Sequence, residues 1–198
     1  MAKLLYQGHG SYRIITASKT VVYVDPFAGE GYNIPADLVL VTHEHSDHNQ
    51  ISLITQKPSC RIITEREALC DGVYQKFTVD DISIQAVPAS NRNHPVTECV
   101  GYVLNFDGIS LYAAGDTSET EAMSNLLPSL HLDYALLPID GIYNMDAKEA
   151  SHCAELIGAK YTIPIHMKPG SLFDRKMAEK FSAKGRLIVA AGDEILLK

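Results

Sequence analysis

The segment 42–49, THEHSDHN, carries three histidines and an aspartate within six positions. It follows directly on the apolar run 38–41, which reads as a buried strand. Packing does not explain a strand that ends in so many polar side chains, whereas imidazole and carboxylate are the usual ligands of zinc and similar divalent metals. Four such side chains exceed what one catalytic metal normally takes from a single segment. The segment therefore predicts an enzyme with two metal ions.

The spacing within this segment divides the four side chains between two metals. His43 and His45 are two residues apart, and such residues point the same way in an extended segment, so both can bind one ion. Asp47 and His48 lie beyond the strand end, where the chain turns, and can face a second ion. The helical HExxH arrangement would need a histidine at position 47, so that motif is absent.

Three further strand ends supply the remaining ligand candidates, which are His94, Asp116 and His166. We expect His94 to complete the first metal site and His166 to complete the second. Asp116 is expected to bridge them, because one carboxylate can bind two cations through its two oxygens. Two metals about 3.5–4 Å apart can share a water and lower its pKa enough to give hydroxide near neutral pH. We therefore predict a metal-bridging hydroxide as the nucleophile, with Asp47 and Asp116 as the catalytic carboxylates.

The rest of the chain predicts short strands and helices. The expected strands cover 3–6, 12–16, 21–24, 38–41, 61–64, 82–87, 101–106, 109–113, 134–137, 161–165, 187–190 and 195–197. The expected helices cover 51–55, 65–69, 120–127, 174–184 and a segment that Asp146 caps and that ends at 157. This order favours an α/β fold with two mixed sheets packed face to face and helices on the outer faces, in a single domain over residues 1–198. The GxGxxG and GxxxxGK[ST] motifs are missing, which disfavours a doubly wound nucleotide-binding fold.

Composition and net charge restrict the possible binding partners and the expected cellular location of the protein. The formal net charge of −7 disfavours electrostatic binding of nucleic acid or of an anionic membrane surface. The N-terminus has no apolar signal segment, and no apolar run approaches the roughly 20 residues that cross a bilayer. We therefore expect a cytoplasmic protein with a small-molecule substrate. Cys60, Cys70, Cys99 and Cys153 form no CxxC pair and predict reduced, mostly buried thiols.

The order of these motifs resembles that of a known family. HxHxDH after an apolar strand, with Asp25-Pro26 before it and His94, Asp116 and His166 after it, is similar to the metallo-β-lactamase fold superfamily. The words GHGS, VDPF, GDT, LPI and YNMDAKEA resemble its branch of small prokaryotic metal-dependent hydrolases, which includes L-ascorbate-6-phosphate lactonase. The resemblance runs from residue 6 to the C-terminus. It implies an αββα sandwich with the metals at one edge of the two sheets, and a role for Asp25 in orienting the histidine loop rather than binding metal.

Other positions are expected to shape the substrate pocket. The candidates for substrate contact lie in loops near the predicted site and are His9, Tyr143, Asn144 and Lys168. For His9 two interpretations stand: contact with substrate or a metal ligand, or a hydrogen bond to a backbone carbonyl in a glycine-rich turn. Asp140 and Met167 depart from the family pattern, because glycine and an aromatic residue are expected there.

The leading hypothesis is a hydrolase that attacks an ester, lactone or phosphoester bond. Zinc is the expected metal, and manganese or iron would suit the same ligands. A phosphodiesterase or nuclease on the same metal centre is the first alternative, against which the acidic balance counts. An iron-dependent redox enzyme and a non-catalytic scaffold of the same fold are the others. The resemblance also implies that the chain can form a homo-oligomer.

Overall fold

Strands dominate the computed structural model, which describes all 198 residues. In chain order the strands are β1 (Lys3–Gly8), β2 (Ser11–Ile15), β3 (Val21–Val24), β4 (Ala36–Leu40), β5 (Gln56–Ile63), β6 (Leu69–Cys70), β7 (Val73–Tyr74), β8 (Lys76–Val79), β9 (Ile82–Pro88), β10 (Val100–Phe106), β11 (Ile109–Ala113), β12 (Tyr134–Pro138), β13 (Tyr161–Ile165) and β14 (Glu194–Leu196). The helices are α1 (Glu65–Ala68), α2 (Glu121–Asn125), α3 (Ala147–Ile157), α4 (Arg175–Lys180) and two short 3-10 helices, Ile51–Leu53 and Leu127–Leu130.

Twelve of these strands form two six-stranded mixed sheets. The first sheet has the order β14-β1-β2-β3-β4-β5 and the second the order β13-β12-β11-β10-β9-β8, while β6 and β7 form a separate pair. Strands β3, β4 and β5 are mutually parallel, as are β11, β12 and β13. The other neighbouring strands are antiparallel, so β1 runs with β3 and β9 runs with β11. Every strand that precedes a predicted metal ligand therefore ends at the same edge of its sheet.

The main core lies between the two sheets. Successive side chains of a strand point to opposite faces, and β4 illustrates the result. Leu38 and Leu40 join the buried cluster between the sheets, whereas Val39 and Val41 join a smaller cluster on the outer face of the first sheet. Backbone bonds tie the two sheets together at the site edge, because the Val100 N–H donates to the Thr42 carbonyl at 3.0 Å.

The outer faces of the two sheets are covered differently. Helices α2, α3 and α4 cover the second sheet and bury a separate apolar cluster that includes Met123, Ala150 and Phe181. Asp146 caps α3 as predicted, since its carboxylate accepts the backbone N–H groups of Lys148 and Glu149. The first sheet is covered mainly by loops and by the Ile51–Leu53 helix. The predicted two-sheet α/β sandwich is confirmed, with a thinner helical layer on the first sheet.

Several predicted elements are wrong in extent or in kind. The predicted strand 187–190 does not form, because the only β-bridge there joins Arg186, the residue before it, to Thr162 of β13. The predicted helix 174–184 is shortened to α4, because the chain becomes extended at Phe181, which is buried in the core. The predicted helix 51–55 is a single 3-10 turn, and 120–127 divides into α2 and the second 3-10 helix. Strands β6, β7, β8 and the first part of β5 were not predicted.

Two further sequence predictions concern cysteines and membranes. All four cysteines are free thiols, as expected; Cys99 and Cys153 are buried, but Cys70 is exposed and Cys60 is half-buried. The expectation of mostly buried thiols is therefore wrong for two of them. Every helix of the protein is too short or too polar to cross a membrane.

Candidate metal centre

The loops at the site edge bring the seven predicted metal ligands together. The loop after β4 carries His43, His45, Asp47 and His48, and the loops after β9, β11 and β13 carry His94, Asp116 and His166 respectively. Their ligand atoms form overlapping clusters in which all atoms lie within 4.8 Å of one another. The chain segments involved are up to 123 residues apart, since 166 − 43 = 123. The sheet edge, rather than local sequence, therefore builds the site.

One cluster contains His43, His45 and His94, and is called here the three-histidine group. The ring centroids of His43 lie 4.6 Å from those of His45 and of His94. His94 Nε2 lies 3.0 Å from His45 Nδ1. His43 and His94 are buried, while His45 is exposed at the mouth of the site. Three nitrogens that converge from two sheets are the donor set of an open catalytic metal site.

A second cluster contains Asp47, His48 and His166, and is called here the aspartate–histidine group. His166 Nε2 lies 3.9 Å from Asp47 Oδ2, and the imidazole rings of His48 and His166 are stacked with centroids 5.4 Å apart. His9 belongs to the same cluster, and its Nε2 lies 3.1 Å from Asp47 Oδ2. The His9 ring therefore contacts a predicted metal ligand, Asp47, which is the first of the two interpretations given for this residue.

Asp116 lies between the two groups. Its Oδ1 is 3.3 Å from His48 Nε2 and 3.5 Å from His166 Nε2. Its Oδ2 is 3.7 Å from His94 Nε2. One carboxylate thus presents one oxygen to each group, which is the geometry expected of a bridging ligand.

Buried atoms without hydrogen-bond partners mark the same place. Those that face one another at the site are His43 Nε2, His48 Nε2, His166 Nε2 and Asp116 Oδ1, and His9 Nδ1 and His166 Nδ1 behind them also lack a hydrogen-bond partner. A buried polar atom that lacks a partner costs about 1–3 kcal/mol, and four that face one another are not explained by packing. Divalent metals would supply the missing partners, because neutral imidazole and carboxylate are their ligands. The residues present therefore fit a metal centre.

Burial and charge set the protonation of these groups. Burial, helped by the neighbouring charge of His48, lowers the pKa of His43 to about 2, so this ring is neutral and keeps a lone pair. Burial alone would raise the pKa of Asp116, but the charges of His48 and His166 hold it well below its usual value. Burial opposes a charge on His48, yet the carboxylates of Asp116 and Asp25 raise its pKa well above the ordinary value. Asp116 is thus ionised, which is the form that binds metal, whereas the raised pKa of His48 means that this ring must lose a proton before its Nε2 can bind an ion.

Asp25 lies behind the histidine loop, at the end of β3. Its Oδ1 accepts the backbone N–H of Thr42 at 2.8 Å, and its Oδ2 accepts the Thr42 hydroxyl at 2.8 Å. The same Oδ2 lies 3.0 Å from His48 Nδ1. Asp25 therefore contacts the far side of a ligand ring and leaves Nε2 of that ring facing the site. This is the orienting position that the resemblance implied.

Two residues that sequence reasoning did not assign to the site occupy similar positions. Asn91 Oδ1 lies 2.7 Å from His94 Nδ1. Asp140 Oδ2 lies 3.1 Å from His166 Nδ1. Burial tends to raise the pKa of Asp140, but the contact with His166 and the backbone N–H groups of the following turn lower it to about 2. The only sequence signal for Asp140 was its departure from the expected glycine, and Asn91 gave none.

The candidate substrate residues divide into two kinds. A cavity of about 620 Å³ opens onto the site and is lined by Asp47, Asp116 and Tyr143, among others. Asn144 is buried and bonds to other side chains behind the site rather than lining this cavity. Lys168 is exposed and lines neither this cavity nor the adjoining one. Of the three loop residues, Tyr143 alone lines this cavity, and substrate contact by any of them stays a prediction.

Comparisons with known proteins agree with this geometry. A family model described as a β-lactamase superfamily domain matches residues 3–166. A UPF0173 metal-dependent hydrolase of Methanoregula boonei is 35% identical over 181 residues, which cover 82% of this chain and 81% of the relative. A solved structure of a proposed metal-dependent hydrolase from Parabacteroides distasonis is 27% identical with a TM-score of 0.74, and the match covers 92% of this chain and 90% of that one.

A second solved structure supports the fold alone. Igni18, a metallo hydrolase from Ignicoccus hospitalis, is 22% identical, with a TM-score of 0.76 and coverage of 100% of this chain and 99% of that one. The predicted superfamily and fold are thereby confirmed, while the closer likeness to L-ascorbate-6-phosphate lactonase stays a prediction. The chain belongs to the β-lactamase superfamily domain family and, within it, to the UPF0173 metal-dependent hydrolases.

Proposed function

We propose that this chain is a dinuclear metal-dependent hydrolase that cleaves an ester, lactone or phosphoester bond of a small molecule. The observation that carries the proposal is the position of Asp116 between the three-histidine group and the aspartate–histidine group. A single metal would leave one of these groups, with its unpartnered buried nitrogens, unexplained. Two ions that share one carboxylate would occupy both.

The two groups would each hold one ion, with Asp116 shared between them. When bound, two divalent metals would supply Lewis acidity, which lowers the pKa of a water and polarises the bond under attack. Zinc suits a set of imidazoles and carboxylates, and manganese or iron suit it nearly as well. The pattern of donors therefore supports the metal class, with zinc as the proposed ion.

The chain's own carboxylates would orient the attacking water and hold the two groups in place. Asp47 is 37% exposed and lines the cavity, so it can meet both substrate and water. Burial opposes its ionisation, but the hydrogen bond from His9 and the charge of His48 hold the pKa of Asp47 below its ordinary value. An ionised carboxylate at the cavity mouth can accept a hydrogen bond from the attacking water and orient it, a role that the lowered pKa suits better than that of a general base. Asp116, buried between the groups, is placed to hold them at a fixed separation.

The shape and charge of the site favour a small substrate. The cavity of about 620 Å³ lies within the usual size range of small-molecule sites, about 300–1,000 Å³. An adjoining cavity of about 570 Å³ is lined by Glu44, Glu65 and Glu98. These carboxylates and the net charge of −7 oppose a nucleic-acid substrate.

The location and the oligomeric state are proposed on other grounds. Four free thiols suit a reducing compartment such as the cytoplasm. The homo-oligomer rests on the resemblance, and light scattering tests it.

Metal analysis and a substrate panel test the proposal together. We expect about two ions per chain and loss of hydrolysis on chelation. The panel compares lactones, aryl esters and p-nitrophenyl phosphate with bis-p-nitrophenyl phosphate, and a preference for the last would favour the phosphodiesterase alternative. Oxygen consumption by an iron-loaded, coloured protein would favour the redox alternative.

Matched variants identify the residues responsible. Asp116→Asn and His166→Ala should each lose hydrolysis and part of the bound metal. His152→Ala is the control, because His152 is an exposed histidine whose nearest carboxylate is Glu119, at 3.7 Å. Full activity and full metal content in both site variants would refute the proposal.

A further inference from the structure

A continuous chain of side-chain contacts joins the two groups behind the site. Asn91 Oδ1 lies 2.7 Å from His94 Nδ1, and Asn91 Nδ2 donates to Asn144 Oδ1 at 2.8 Å. Asn144 Nδ2 donates to Asp140 Oδ2 at 2.8 Å. The same Asp140 oxygen lies 3.1 Å from His166 Nδ1. The three residues between the histidines are called here the Asn91–Asn144–Asp140 relay.

The relay has a direction, which starts at Asn91. The Asn91 side-chain oxygen accepts the backbone N–H groups of Asn93 at 2.8 Å and His94 at 3.0 Å. Those two donors fix the oxygen on the side of His94 and turn the Asn91 amide nitrogen toward Asn144. Asn144 has one side-chain oxygen, which accepts that bond, so its own nitrogen faces Asp140. The orientation of each amide thus determines the orientation of the next.

Both ends of the relay accept hydrogen bonds and donate none. An amide oxygen and an ionised carboxylate are acceptors only, and backbone N–H groups of Ile142 and Tyr143 further favour the Asp140 carboxylate. The hydrogen bond at His94 therefore requires the ring proton on Nδ1. At His166 the carboxylate 3.1 Å from Nδ1 favours the proton on that nitrogen through its charge, because the contact lacks the alignment of a hydrogen bond. Their Nε2 atoms are then left with lone pairs, at 3.7 Å and 3.5 Å from the Asp116 carboxylate.

We propose that the Asn91–Asn144–Asp140 relay couples the two metal sites, by selecting the metal-binding tautomer of His94 and His166 as a unit. The proposal rests on the two-metal function proposed above. Asn144 is the informative member, because it is 7% exposed and its side chain hydrogen-bonds to Asn91 and Asp140 rather than to either histidine ring. It is a positioning residue for one site through Asn91 and for the other through Asp140.

A local explanation makes a different prediction. If Asn91 and Asp140 each simply held the neighbouring histidine, the link through Asn144 would add nothing to metal binding. Removing a side chain that orients a ligand typically costs about 10–100-fold in metal affinity. The relay therefore predicts losses of that size, at both sites, from a substitution that touches no ligand.

Zinc binding to metal-free variants separates these explanations. Asn144→Leu should weaken both sites by about tenfold in competition with a chromophoric chelator. Nitrogen NMR of the histidine rings should report a mixture of tautomers at His94 and His166 in the metal-free variant, where the wild type has the Nδ1–H form. Asn125→Leu is the control for the same substitution, because Asn125 is exposed at the end of α2 and lines neither cavity of the site, and it should leave both affinities unchanged.

A second variant tests the direction of the relay. In Asn144→Asp the side chain still accepts from Asn91 but cannot donate to Asp140, and it adds a like charge. Only the site that contains His166 should weaken by about tenfold, with the His94 site retained. Circular dichroism of the metal-free protein checks that each variant folds, and Asn144→Asp carries the test if Asn144→Leu does not fold.

The outcomes distinguish the relay from the function on which it rests. If the wild type binds two ions but Asn144→Leu changes neither affinity, or only one, the relay is refuted while the two-metal function stands. If the wild type binds a single ion, the proposed function fails and the coupling fails with it. Equal weakening of both sites in Asn144→Asp would refute the direction of the relay.

Discussion

Replacing Asp25 by asparagine should change the protonation of His48 without removing any atom of the metal site. The wild-type carboxylate accepts three hydrogens, from the Thr42 backbone, the Thr42 hydroxyl and His48 Nδ1. A carboxamide has one acceptor oxygen and one donor nitrogen. If the oxygen keeps the backbone N–H of Thr42, the nitrogen faces His48 Nδ1. The ring must then accept at Nδ1 and carry its proton on Nε2, the atom that faces Asp116.

The expected loss of zinc affinity follows from the loss of the partner that orients the His48 ring. A ligand whose orienting partner is lost typically binds metal about 10–100-fold more weakly, or about 1.4–2.7 kcal/mol. The loss should fall mainly on the site that contains His48, because Asp25 reaches the three-histidine group only through the Thr42 hydroxyl, which lies 3.1 Å from His43 Nδ1. The metal-free protein should lose only about 1–2 kcal/mol of unfolding free energy, since the amide still makes neutral hydrogen bonds.

Three measurements test these expectations separately. Zinc competition measures the affinity, nitrogen NMR reports which ring nitrogen of His48 carries the proton, and denaturant unfolding measures the free energy of unfolding. Asp71→Asn is a suitable control, because Asp71 lies exposed in a turn with φ 51°, a conformation that asparagine tolerates. An Asp25→Asn variant that keeps wild-type zinc affinity, or whose His48 keeps its proton on Nδ1, would refute this reasoning.

Two further predictions concern packing and metal removal. A Cβ atom at Gly10 would lie 2.8 Å from His48 Cε1. Gly10→Ala should therefore displace the ring, weaken zinc binding and lower the unfolding free energy by about 1–3 kcal/mol. Wild-type values in zinc competition and thermal unfolding would contradict this. Zinc at 100 times its dissociation constant should raise the unfolding free energy of the metal-free protein by about 2.7 kcal/mol for each site, and an unchanged melting temperature would count against the metal centre.

The parts of the fold that the sequence predicted are those with a strong local pattern. Strand β4 alternates between two apolar faces, and Asp107-Gly108 joins β10 to β11 as a tight hairpin. Strand β8 has the half-exposed pattern of an edge strand, so little apolar periodicity marked it. The segment 187–190 is apolar enough to suggest a strand, yet the only β-bridge there joins the preceding residue, Arg186, to β13. Whether an apolar segment completes a ladder depends on a partner strand, which local sequence does not specify.

The candidate site divides in the same way. The ligand candidates stand in recognisable patterns at strand ends, and the structure brings all seven together. The residues behind the ligands stand in no recognisable pattern, because Asn91 and Asp140 are separated by 49 positions, since 140 − 91 = 49. Asn144 can bond to both because β9 and β12 end at the same edge of the second sheet. Asn144 was predicted as a loop residue near substrate, and its buried place between them follows from that shared edge.

The backbone conformation gives evidence for the site that is independent of the ligand pattern. His9, Asp25 and His166 have φ angles of 57°, 45° and 45°, in the left-handed region that costs a residue with a side chain about 1–2 kcal/mol. Each directly follows the last residue of a strand. The other such residues, all of them exposed, are Lys19, Asp71, Asp80, Asp107 and His131.

The three buried examples support one another at the site edge. The N–H of His166 donates to the carbonyl of His9 at 2.8 Å, and the N–H of Asp25 donates to the Leu40 carbonyl at 2.9 Å. The reversal of the backbone places the Asp25 carboxylate against Thr42 and the His166 ring against Asp116. Strain of this kind persists where the surroundings over-determine it, and it concentrates at functional sites. That all the buried strained residues of this chain lie at one edge therefore argues that this edge was selected for chemistry rather than for stability.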